Sequence, residues 1–269
     1  MTLAMCYTWR KYTTRKGCAA MIKPRLMRLA EEMFTLAGNH DLSKYLVVRG
    51  RLIEFLQEED HVILPEDEEN KRWAKDLIHF IDASITYAKK TSSKEAYPYI
   101  KSFLKRMMAT DLDDWDFDEL RLFISSINFT ESVEQAMELA NQANEKSIQF
   151  KRLRLTDHLE GALLTNLCAR ILNAKHFNED VTIDLADVFD SRFIWLEGLV
   201  EKNKQSQYAQ YFEMIFYVMK IRRAIFNANK KEAFILCDGL TQYDEQFSEM
   251  IRSEVDFYLI EMEDFKEWR

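Results

Sequence analysis

The nine residues DLDDWDFDE at 111–119 hold six acids around a Trp and a Phe. A run like this is either a cation loop or the acidic start of a helix. A calcium-binding helix–loop–helix needs acids at loop positions 1, 3 and 5, Gly at 6 and Glu at 12. Counting from Asp114, position 6 is Glu119 and position 12 is Ser125. Counting from Asp111, the same positions are Asp116 and Leu122. Neither register works. The remaining reading is a helix capped by Asp113 or Asp114, with acids favoured by the dipole at its N-terminus. Trp115, Leu120 and Phe123 then share one face.

Other chemistry is sparse. The five His show no HExxH or i, i+4 pairing, which leaves no expected metal site. Six scattered Gly cannot form a phosphate loop, and no G-x-S-x-G elbow is present. No cofactor and no catalytic residue is expected, and the chain does not read as an enzyme. One helix-like run stands out: YFEMIFYVMKIRRAIF is apolar around most of its girth and then presents Arg222 and Arg223. Arginines above an aromatic floor can hold a carboxylate, including that of a peptide C-terminus, or can pair with local acids.

The elements that would position these residues are helices. The 269 residues include only 6 Gly and 3 Pro, against 47% hydrophobic and 30% charged residues. That composition implies long helices with short connections. A 3.6-residue period dominates from Met21 onward. Helices are expected at about 22–37, 42–57, 65–90, 94–108 (after a Thr91-Ser92-Ser93 loop), 116–127, 131–148 and 153–175. A short one follows over VTIDLADVF, then others at about 192–203, 207–228, 230–242 and 245–266. Asp41 and Thr130 are expected caps, and Leu42, Tyr45, Leu46, Leu52, Ile53 and Leu56 the buried edge of the second helix.

Two segments rhyme at a spacing of about 50 residues: LLTNLCARILNAKHFNEDVTIDLADVF and MIFYVMKIRRAIFNANKKEAFILCDGL. The expected fold is therefore all-α: antiparallel helical hairpins stacked as a TPR-like curved solenoid with a concave face. It would form a single helical-repeat domain over 21–269, with a minor boundary possible near 60–70.

Charge is uneven. Residues 1–30 carry seven basic side chains and no acid, so of the chain's net −8 the remainder carries −15. A basic extension over 1–20, poorly ordered, is expected ahead of the helical body. The four Cys lack CxxC spacing, and Cys168 and Cys237 sit among apolar residues, as in a reducing cytoplasm. No stretch reaches the roughly 20 apolar residues of a membrane span.

The order W-x-F-x-E-L-x-L-F, carried by Trp115, Phe117, Glu119, Leu120, Leu122 and Phe123, resembles a signature of the Rgg/GadR/MutR regulators of Gram-positive bacteria. LLTNLCARILNAKHF is similar to that family's long helix with a central Asn, here Asn166. The resemblance spans roughly 25–240. It implies a cytoplasmic homodimer that senses a short signalling peptide on the concave face of a helical-repeat domain and so regulates transcription. The family's helix-turn-helix reader is not evident before residue 25, and SKY and RGR near 43–51 lack its spacing. The resemblance is therefore to the peptide-sensing half, and DNA is left open as a partner. Asn166 (by the family pattern) and Arg170, Tyr217 and Arg222 (by helix phase) are the expected peptide-binding residues. The alternative is a stand-alone interaction module without DNA binding, which pairs with full-length relatives or another protein.

Overall fold

The computed structural model describes residues 24–36, 42–58, 65–90, 92–111, 115–151, 157–243 and 245–261. These residues are helical, with short connections and no strand among them. In chain order the helices are α1 (Pro24–Leu36), α2 (Leu42–Glu58), α3 (Pro65–Lys90), α4 (Ser93–Ala109), α5 (Phe117–Ser126) and α6 (Val133–Lys151). Then come α7 (Asp157–His176), α8 (Leu185–Asn203), α9 (Ala209–Phe226), α10 (Lys230–Leu240) and α11 (Glu245–Asp256). A 3-10 turn, Ile127–Phe129, follows α5, and a π-helical turn, Phe257–Glu261, extends α11. No helix among the described residues is long and apolar enough to cross a membrane.

The acidic run resolves as a helix start, its cap two or three residues later than the sequence suggests. Asp113 and Asp114 lie outside the described residues, and the cap is Asp116. Its Oδ1 accepts from the Glu119 amide at 2.7 Å, and Glu119 Oε2 accepts from the Asp116 amide at 3.1 Å. This reciprocal pair satisfies two amide donors that the helix leaves open at its start. Trp115 packs its edge on Phe123 at 4.6 Å, and Leu120 is fully buried beside them. Asp118, on the first turn, is buried as well.

Other expectations shift for similar local reasons. Ser132, not Thr130, caps α6, accepting from the Gln135 amide at 3.2 Å. Thr130 is buried and donates to the Ile127 carbonyl instead. LADVF and the segment after it form one helix, α8, because Asp184 caps it by accepting from the Ala186 and Asp187 amides, and VTI lies before it as a non-helical connection. Leu46 is exposed, and the buried edge of α2 is Tyr45, Val48, Leu52 and Phe55. Asp41, the basic segment 1–20 and part of 60–70 lie outside the described residues.

The internal rhyme has a physical counterpart. α7 and α9 run parallel: the Tyr211 hydroxyl donates to the His158 carbonyl, and Lys175 sits at the Phe226 carbonyl and over its ring. Gly161 allows the approach, since a Cβ there would lie 3.0 Å from Ile215 Cδ1. Both helices also stop in the same way. Asn178 (φ 48°) and Ala228 (φ 54°) take the left-handed conformation, and the Glu179 and Asn229 amides reach back to the Ala174 and Ala224 carbonyls. This cap closes a helix end, and it favours glycine at the left-handed position. Ala228→Gly should therefore stabilise the chain by about 0.5–1 kcal/mol, read as a higher urea midpoint at unchanged slope.

The buried apolar side chains form a continuous cluster from Leu26 to Tyr258. Ion pairs tie consecutive helices, Arg49 of α2 with Asp82 of α3 and Arg106 of α4 with Asp76 of α3, and Arg121 of α5 pairs with Glu31 of α1.

Candidate functional site

The helix carrying Arg222 and Arg223 is α9, and its C-terminal half meets α7 and α11. Arg222 Nη1 donates to the Thr165 carbonyl at 2.7 Å, which fixes the guanidinium plane. Its Nε and Nη2 then grip the two oxygens of Glu254 at 2.8 and 2.9 Å. This is the two-pronged geometry by which arginine recognises a carboxylate. The pair is largely enclosed, with side chains 12% and 18% exposed. Burial works against the Arg222 charge, but the Glu254 carboxylate more than offsets it and holds its pKa above the ordinary value.

One helical turn beyond Glu254, Tyr258 is buried near Tyr87 of α3 and Asn173 of α7. Burial and the neighbouring Tyr87 push its hydroxyl well above the usual range, and burial raises that of Tyr87, so both phenols stay protonated. His176 lies against the rings of Phe257 and Tyr258 at 4.8 and 5.0 Å. Its pKa is lowered by burial, which favours the neutral ring. Asn173 Oδ1 also accepts from the Ser93 amide at the start of α4, and Ser93 Oγ donates to the Asn128 carbonyl. A polar seam thus joins α3, α4, α7, α9 and the C-terminal segment. It binds a carboxylate and a phenol one turn apart.

The four expected peptide-binding residues do not line one groove. Asn166 Nδ2 donates to the Ile124 carbonyl, covering the end of α5 where it tightens into the 3-10 turn. Tyr217 lies beside Tyr243, its ring 5.4 Å away, and Gly239 leaves the space it fills. Arg170 is fully buried, with bonds to the Thr130 and Glu131 carbonyls and an ion pair with Glu179 at 2.7 Å. It faces the core and cannot reach a groove ligand. The reason is that α7 is packed by α5, the 3-10 turn, α6, α8 and α9, so helix phase does not separate a groove face from the core. Arg222 and Arg223 both follow the second reading and pair with acids of the chain, Arg222 with Glu254. Arg223 pairs with Asp190 at 3.0 Å and stacks on Phe193.

Sequence reasoning missed Glu254, Tyr258, Tyr87 and Asn173. Glu254 and Tyr258 share a helix edge at i, i+4, a visible pattern, but their partners are distant in sequence and leave no local signal. Cys168 and Cys237 are buried free thiols, pushed by burial to about 12 and about 11, and are poor nucleophiles. Among the described residues no three or more His, Cys, Asp or Glu converge as a metal site.

No protein-family model matches the chain, and no curated protein or solved structure is significantly similar to it.

Proposed function

We propose that the chain is a regulatory binding module of the Rgg/GadR/MutR type. In this reading its helices stack as a TPR-like solenoid whose inner face takes a short peptide, and it works as a cytoplasmic homodimer. The observation that carries the reading is the Arg222 guanidinium, held by Thr165 and clamping a carboxylate in an enclosed seat. The parallel, similarly capped α7 and α9 also support it, because stacked repeats create extended inner surfaces. So does the signature run from Trp115 to Phe123, which forms the capped start of α5. Regulation would act by population shift, the peptide favouring one curvature of the stack over another.

Selection of a random peptide library on the immobilised full-length chain tests this reading. Enriched sequences should carry an acidic side chain or depend on a free C-terminal carboxylate. Arg222→Gln should weaken their binding by about tenfold or more, as expected for loss of a charge-assisted bidentate contact. Failure to enrich any peptide, or binding indifferent to Arg222, would contradict it.

A further inference from the structure

The Arg222 seat is occupied by Glu254 of the chain itself. We infer that residues 254–258 are an intramolecular stand-in for the ligand. The true ligand is then an amphipathic helical peptide with an acidic side chain and a tyrosine one turn later, and it binds by displacing this segment. The inference rests on the peptide-binding reading above and specifies its ligand.

Three observations point the same way. First, the segment is held by a directional polar contact as well as by apolar packing: Arg222 grips both oxygens of Glu254, and Tyr258 is buried against the His176 ring at 5.0 Å. Enclosed charge pairs define register and partner more than they add stability, so the seat is selective for this pattern. Second, α11 gives way at Asp256 to a π-helical turn that carries Tyr258. Such turns are rare and concentrate at functional sites. Third, Tyr258 reaches Tyr87 on α3, a helix far from it in sequence, so the segment bridges early and late helices. Withdrawing it would free that link, which couples seat occupancy to the curvature of the stack.

The probe is a labelled peptide with the sequence of residues 245–261, titrated into the full-length chain. In the wild type the internal segment competes with it, and apparent affinity falls by the fraction of chains whose seat is open. Glu254→Gln with Tyr258→Phe in the chain weakens the internal contact and should tighten peptide binding by about tenfold. The gain should vanish when the peptide carries Glu254→Gln and Tyr258→Phe. Equal affinity for both chains, with circular dichroism showing both folded, would overturn the inference. Should the double variant not fold, the wild-type chain labelled with 15N serves. Excess peptide should then raise deuterium uptake in the chain's own residues 245–261, and unchanged uptake would overturn the inference. Dimerisation of the double variant with the segment crossing between copies would also overturn it, making a second copy the occupant. If selected peptides bind while residues 245–261 keep their protection, this inference fails and the broader reading stands. If no peptide binds, both fail.

Discussion

Arg170→Met is expected to destabilise the chain by about 3–5 kcal/mol, the usual cost of removing one partner from a buried ion pair. Arg170 is fully buried and the Glu179 side chain is 5% exposed, so water cannot replace the lost guanidinium. The Thr130 and Glu131 carbonyls lose their donors in the same step, at the connection that leads into α6. Methionine fills much of the volume, so the loss reports the electrostatics and hydrogen bonds more than a cavity. Adding Glu179→Leu should recover about half of it, because the stranded charge is then gone. Urea unfolding of the wild type and the two variants measures this. A single-variant loss below about 1 kcal/mol would mean that the pair contributes no more than an exposed one.

Asp118→Asn is expected to stabilise the chain, and increasingly so as pH rises. Burial, reinforced by Asp116, Glu31 and Glu119 against the opposing Arg121, pushes the Asp118 carboxyl from its ordinary 3.8 to about 8. Below pH 4 the folded and unfolded chains both hold the proton, and the group costs nothing. Between pH 4 and 8 the unfolded chain releases it while the folded chain keeps it, so the fold loses stability as pH rises. A shift of this size bounds the loss at about 6 kcal/mol, at about 1.4 kcal/mol per unit. Local relaxation and water entry reduce the expected gain of the variant to about 2–3 kcal/mol at pH 8. Near pH 4 it should be close to zero. Comparing melting of the two proteins across that range isolates this carboxyl from all the others. A constant difference at every pH would show that Asp118 titrates normally.

The helices were legible in the sequence because apolar period and breakers are local signals. Pro65 starts α3 where the pattern breaks, and α9 and α10 meet within a few residues of the expected turn. Caps were less legible where acids crowd together. In DLDDWDFDE any of several Asp residues could cap, and only the three-residue spacing from Asp116 to Glu119 marks the reciprocal pair. Burial on α7 was not legible at all. Its polar residues look like a solvated or groove face, yet Arg170 and Asn173 are enclosed because five elements surround the helix. The seat itself divides in the same way. Arg222 stood out by its aromatic surroundings, whereas Glu254 and Tyr258 gain their meaning from contacts with α3, α7 and α9 that only folding creates.

The most direct test of the account is hydrogen–deuterium exchange of the full-length chain with and without a library-selected peptide. New protection should appear in α7 and α9, around Thr165, Asn173 and Arg222, with increased exchange in residues 245–261. Protection confined to α1 and α2, or none in α7 and α9, would contradict a peptide seat on this face.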